Sequence, residues 1–174
     1  MTDPTGLPLD AVYTQLQAQR LPRWRELPDL ELYMDQVLGL VGRYLGTYPG
    51  FDEKGLTAAM VNNYVKLGAL PPPQKKRYNR SHLARLLMIC LLKPSLPIAA
   101  IRDLLNAASR QDEEAFYDGF CALFEEAGSA AAAACERSDA GTETAVLRAA
   151  LRAQAEQALA LKLCGTLAGR DGDA

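Results

Sequence analysis

Histidine is almost absent from this chain: His82 is the only one in 174 residues. Cysteine is scarce and scattered, at positions 90, 121, 135 and 164. Structural metal motifs need short Cys–Cys or Cys–His spacing, and His82 lies near Cys90 alone, so no metal site is expected. Cys90 and Cys121 fall on the apolar sides of helical patterns and read as buried, reduced thiols. A second reading makes Cys135 and Cys164 a redox or thiophilic-metal sensor. Catalytic groupings are missing as well. There is no nucleophile elbow, no glycine-rich phosphate cradle and no pair of carboxylates at ligand spacing; Glu125 and Glu126, being adjacent, point about 100° apart on a helix. A non-enzymatic protein without a cofactor is expected. No run of about 18 apolar residues occurs, and the opening MTDPTGLPLD carries neither a basic n-region nor an apolar h-region. Neither a membrane span nor a signal peptide is expected, and the expected location is the cytoplasm.

Aromatic residues make up only 7% of the chain, β-branched residues are few, and Ala and Leu are abundant, which points to an all-α fold. The most telling absence is local. Between Leu56 and Arg102 there is no acidic residue but eight basic ones: Lys66, Lys75, Lys76, Arg77, Arg80, Arg85, Lys93 and Arg102. The remainder of the chain holds 11 basic against 21 acidic residues. Concentrating like charge costs self-repulsion, and a polyanionic partner is the usual compensation. A merely solvated basic face is the plainer alternative.

Helical patterns run through most of the chain. A short helix is expected after Asp10, with Leu9, Val12 and Leu16 on one side, and Trp24, between two prolines, is expected outside regular helix, plugging the chain onto the core. Asp29 is placed to cap a helix through Leu30, Tyr33, Met34, Val37, Leu40, Val41, Tyr44 and Leu45, ended by a left-handed Gly46. Thr57 caps the next helix, closed by Gly68. Met60, Val61, Tyr64 and Leu67 mark its apolar side, while Ala59, Asn62, Asn63 and Lys66 fall i, i+3, i+4, i+7 on one polar stripe. Asparagine is a poor helix former, but its amide can pair bidentately with adenine in the major groove. The connection ALPPPQKKRYN then displays Gln74, Lys75, Lys76 and Arg77 on a short, proline-stiffened turn suited to straddling phosphates, followed by Tyr78 and Arg80.

Asn79 caps a helix with Leu83, Leu86, Leu87 and Cys90 inside. His82, at its third position, is read as a surface or capping residue. Ile98, Ile101, Leu104 and Leu105 mark one more core helix. Beyond Ser109 the chain turns acidic. A helix over 112–127 carries Phe116, Phe120, Leu123 and Phe124, and residues 128–141 read as small, flexible types around an alanine run. Thr142 opens a helix of about 24 residues in which Leu147, Leu151, Gln154, Ala158 and Leu161 alternate in steps of four and three, the mark of a helix–helix seam. That seam suits packing within the chain or a homodimer.

The segment Leu56–Leu105 resembles the DNA-binding half of MerR-type regulators, through Tyr64, Gly68, Leu70, Pro72, Lys76, Tyr78, Leu83, Leu86, Ile89, Ile98, Ile101 and Leu105. With LPDLELYMDQVL upstream, Leu21–Leu105 is similar to an uncharacterised bacterial family, a domain of unknown function thought to carry a MerR-like winged helix-turn-helix. The resemblance implies three parts: an N-terminal arm (1–28), a DNA-binding domain (29–108) and a C-terminal helical region for dimerisation or effector binding (109–174). It also implies a transcriptional regulator reading double-stranded DNA with the helix 57–67 and a wing at 71–78. The expected contact residues are Thr57, Ala59, Asn62, Asn63, Lys66, Gln74, Lys75, Lys76, Arg77, Tyr78 and Arg80. MerR-type proteins usually have Arg and Tyr where this chain has Asn62 and Asn63, so their phosphate contacts do not transfer. The competing reading is an interaction module whose basic face docks an acidic protein.

Overall fold

The computed structural model describes residues 9–46, 48, 55–108, 112–136 and 141–168, except the side chains of residues 9, 10, 135, 136, 142 and 168. The start of the arm, most of the loop after Gly46, the boundary at Ser109 and the C-terminal tail lie outside the described residues, as does the Cys135 side chain.

Among the described residues the chain is all-helical. It comprises α1 (Leu9–Gln17), a single 3-10 turn (Trp24–Glu26), α2 (Met34–Leu45), α3 (Ala58–Lys66), α4 (Arg80–Leu92), α5 (Ile98–Ala108), α6 (Glu113–Glu136) and α7 (Thr142–Ala168). None of these helices is long and apolar enough to cross a membrane. The organising element is α4, whose residues His82 to Ile89 are all buried. A helix buried all round must be surrounded; α2, α5 and α6 pack against it. One core runs from Leu21 and Leu27 in the linker, through Val37, Val41, Val61, Tyr64, Leu86 and Ile101, to Tyr117 and Cys121 on α6.

Several local expectations are corrected. The second helix starts at Met34, with Tyr33 as its N-cap and Gln36 accepting from the Tyr33 N–H at 2.8 Å. Asp29 therefore does not cap it, and Leu30 and Tyr33 are exposed. The reason is long-range: Leu32 is held extended by an antiparallel bridge to Tyr78. Gly46 ends α2 in right-handed geometry, φ −62°, not left-handed. Trp24 does lie in helical backbone, but only one 3-10 turn of it. It packs edge-on to Tyr117, with centroids 6.2 Å apart, so the expected plug is present.

The alanine run extends α6 to Glu136 instead of breaking it, in keeping with alanine's helix propensity. The deepest side of α6 is Tyr117 and Cys121; Phe116, Phe120 and Phe124 flank it on an apolar groove of about 850 Å³, and Leu123 is exposed. Farther along, α1 crosses α6 where a side chain at Gly128 would stand 2.7 Å from the Leu16 carbonyl oxygen. Only glycine permits that approach.

The linker is seated on α6 by charge. Arg23 pairs with Glu125 at 2.6 Å, Arg25 with Glu114 at 2.6 Å, and the Trp24 N–H donates to Asp118 at 2.8 Å. Ser81 on α4 donates to Glu113 at 2.6 Å. Much of the acidic face of α6 is thus engaged within the chain.

Candidate nucleic-acid interface

Thr57 is the N-cap of α3, its hydroxyl accepting from the Met60 N–H at 3.3 Å. Val61 and Tyr64 face the core, while Ala59, Asn62, Asn63 and Lys66 are all exposed, as their spacing requires. Leu67, expected inside, is 39% exposed, because the chain turns at Gly68. There φ is +71°, and the N–H groups of Ala69 and Leu70 both donate to the Tyr64 carbonyl, at 2.9 and 3.1 Å. Glycine adopts this conformation without the steric cost of a Cβ. The turn sends Ala69 and Leu70 into the core in place of Leu67.

After the three prolines the backbone reverses tightly. Gln74 and Arg77 form an antiparallel bridge, the Arg77 N–H donating to the Gln74 carbonyl at 2.8 Å. Between them Lys75 and Lys76 both have positive φ, +49° and +63°. Two such residues in a two-residue loop are the pattern of a type I′ turn, which ordinarily selects Asn-Gly or Asp-Gly. Holding an L-residue with a Cβ in this region costs roughly 1–2 kcal/mol. Both lysines are exposed, and neither they nor Lys66 meet a carboxylate within ion-pair distance among the described residues.

The other basic residues are more tied. The Arg77 guanidinium lies over the Tyr33 ring, 3.8 Å from its centroid, a cation–π contact that fixes its direction. Arg80 donates to the Leu27 carbonyl at 3.2 Å and approaches Asp29 at 3.6 Å, so it secures the linker. Tyr78 is only 2% exposed and stacks edge-on to His82, at 5.5 Å between centroids. It is a core residue, which removes it from any surface contact set.

Arg85, 9% exposed, is internal: its Nε donates to the Ala69 carbonyl at 2.7 Å, and its Nη atoms reach the Leu105 carbonyl and Asn106 Oδ1. It is one of the eight basic residues of the acid-free window, but its charge is not at the surface. Lys93 and Arg102, which the sequence pattern does not place among the contact residues, flank the end of α3. The Lys93 Nζ is 5.9 Å from the Tyr64 ring centroid, and Arg102 Cδ is 3.7 Å from where a Cβ on Gly68 would stand. Arg102 is itself paired with Asp103 at 2.8 Å.

His82 completes the cap of α4. Its N–H donates to Asn79 Oδ1 at 3.1 Å, and the Asn79 N–H donates back to His82 Nδ1 at 3.3 Å. The capping role anticipated for it holds, but the residue is buried, at 7% exposure. Burial lowers its pKa below the usual histidine value. Of the cysteines, Cys121 is buried and Cys90 and Cys164 partly so; all three are free thiols. Burial pushes the Cys90 thiol up to about 12 and raises that of Cys121, which leaves both as poor nucleophiles. Among the described residues no three His, Cys, Asp or Glu side chains gather as a metal site.

No curated protein and no solved structure matches this chain. A family match does exist, over residues 22–120, more than half of the sequence. It takes in the linker, the bundle around α4, the lysine turn and the Tyr117 end of α6. The chain belongs to the family described as a domain of unknown function, DUF1836.

Proposed function

We propose that this protein is a non-enzymatic, DNA-binding transcriptional regulator of the cytoplasm, a MerR-like winged helix-turn-helix in its arrangement of α2, α3, the lysine turn, α4 and α5. In this reading Asn62 and Asn63 meet base edges, with Ala59 beside them. Lys66, Lys75, Lys76 and Arg77 hold phosphates, while Thr57 and Gln74 set the ends of the two contacting elements. Tyr78 and Arg80 stabilise the domain and are not in the contact set. Two copies act together as a homodimer on two half-sites.

The observation that carries the reading is the turn. Two adjacent lysines occupy left-handed backbone where glycine or asparagine would be less strained, and their side chains are exposed without a carboxylate partner among the described residues. Strain of this kind persists where function needs a particular side chain at a particular place. Phosphate recognition supplies such a need.

The test is selection of bound duplexes from a random pool, together with a salt titration of the variant Lys75→Ala/Lys76→Ala/Arg77→Ala. Binding to every duplex should weaken similarly, and the log–log salt slope should flatten by roughly one unit for each phosphate no longer held. A chain that enriches no sequence and binds duplex no better than the triple variant would instead favour an acidic protein as the partner.

A further inference from the structure

We infer that α7 carries a parallel, in-register coiled-coil seam for a second copy of this chain. The inference deepens the homodimer part of the reading above and does not depend on DNA binding. Within the chain α7 packs on α5 and α6. Ala160 and Cys164 touch the core, Ala145 and Ala149 line a groove against α6, and Gln157 Nε2 donates to the Ser95 carbonyl at 2.9 Å. At about 100° per residue the row Leu147, Leu151, Gln154, Ala158 and Leu161 lies on the opposite side of the helix. Leu147, Leu151 and Leu161 are 62%, 63% and 42% exposed, and Gln154 and Ala158 are exposed too. Residues 146–159 are exposed on every side of α7, so it is the angular position of the row that turns it away from its own chain, as a regular d-a-d-a-d row.

Charge selects the occupant and its direction. With Leu147, Gln154 and Leu161 at d, the e positions are Arg148, Ala155 and Lys162, and the g positions are Glu143, Ala150, Gln157 and Cys164. In a parallel pair each g residue meets the e residue five positions on in the partner. That places Glu143 against Arg148 of the second copy, twice by symmetry, and like charges nowhere along the seam. An antiparallel pair centred on Gln154 would instead bring Arg148 beside Lys162. Glu143 and Arg148 are both exposed, and among the described residues neither is in an ion pair; Arg148 stands at the edge of the groove against α6, beside the seam. The small Ala150, Ala155 and Ala158 allow close approach. A polar Gln154 opposite its own copy fixes register at some cost in strength.

Sedimentation equilibrium of the full-length chain, without DNA, tests this. The wild type should dimerise at micromolar concentrations, and Leu151→Asp should abolish it. Arg148→Glu, which sets two carboxylates together in a parallel pair, should weaken the dimer severalfold. Adding Glu143→Arg to it should restore wild-type association. All three positions are exposed, so circular dichroism should remain that of the wild type. A wild-type monomer at about 100 μM would overturn the inference. So would a dimer indifferent to Leu151→Asp, or one strengthened by Arg148→Glu, which is the antiparallel outcome.

Discussion

Leu32 and Tyr78, 46 positions apart, exchange both backbone hydrogen bonds: Leu32 N–H to the Tyr78 carbonyl at 2.7 Å, and Tyr78 N–H to the Leu32 carbonyl at 2.9 Å. This single antiparallel pair anchors the base of the lysine turn to the leader of α2. It also brings Tyr33 to where its ring supports Arg77. The turn is thus held from one side by its own Gln74–Arg77 bridge and from the other by a residue that the sequence pattern assigns to helix.

The strain in the turn leads to a prediction in which stability and binding move in opposite directions. Glycine at position 76 relieves the steric cost at φ +63° but enlarges the entropy of the unfolded chain. The net effect of Lys76→Gly should be a gain of about 0.5–1 kcal/mol by denaturant titration. Duplex affinity should fall, with the salt slope reduced by roughly one unit. A variant both more stable and equally tight on DNA would take Lys76 out of the interface.

On α3 the stripe separates two roles. Asn62→Ala and Asn63→Ala each remove an amide able to read a base, so sequence preference should relax at one position by about 1–3 kcal/mol of discrimination. Lys66→Ala should lower affinity for all duplexes alike. Since alanine is the better helix former, neither asparagine variant should lose stability. Retention of the wild-type preference in both would make the stripe a solvated face.

Much of this is legible in the sequence. The 3.6-residue rhythm locates α2 to α7, the polar stripe on α3 is exposed as its spacing requires, and the Asn79–His82 cap is visible in their separation. What escapes has a common cause in contacts between distant residues. The rhythm misplaces the start of α2 because Leu32 answers to Tyr78 instead of to its neighbours. Leu67 leaves the core because Gly68 turns the chain and substitutes Leu70. Basic residues look alike in a sequence, yet Arg80 and Arg85 are consumed by the Leu27, Ala69 and Leu105 carbonyls, while Lys75 and Lys76 remain open to solvent.

His82 makes stability depend on pH. Its folded pKa is lowered by burial, so the unfolded chain binds the proton more tightly than the native one. Its stabilising contribution is complete above the unfolded value of about 6.5 and declines as pH falls from there toward the folded value. The slope should reach at most about 1.4 kcal/mol per pH unit. Glu113 and Arg85 are the charged groups that act on it, in opposite directions. Glutamine can accept from the Asn79 N–H without titrating, so His82→Gln should flatten urea midpoints measured between about pH 7.5 and pH 5.5. Since the chain has no other histidine, an unchanged pH dependence in this variant would assign the effect elsewhere.

Arg85 supplies the clearest contrast with the surface lysines. Its fork joins the exit of α3, at the Ala69 carbonyl, to the end of α5, at the Leu105 carbonyl and Asn106. Replacement by methionine keeps the apolar stem but leaves buried acceptors without donors, at a cost of about 1–3 kcal/mol. Lysine should rescue little, because one ammonium cannot span acceptors arranged for a planar guanidinium. The Asn106→Ala effect should be smaller and non-additive with Arg85→Met, since both act on one network. If Arg85 is structural, the folded Arg85→Met protein should keep the wild-type salt slope on DNA, whereas Lys75→Ala should lower it by about one unit. A reduced slope in Arg85→Met with unchanged stability would place this arginine among the phosphate-binding residues after all.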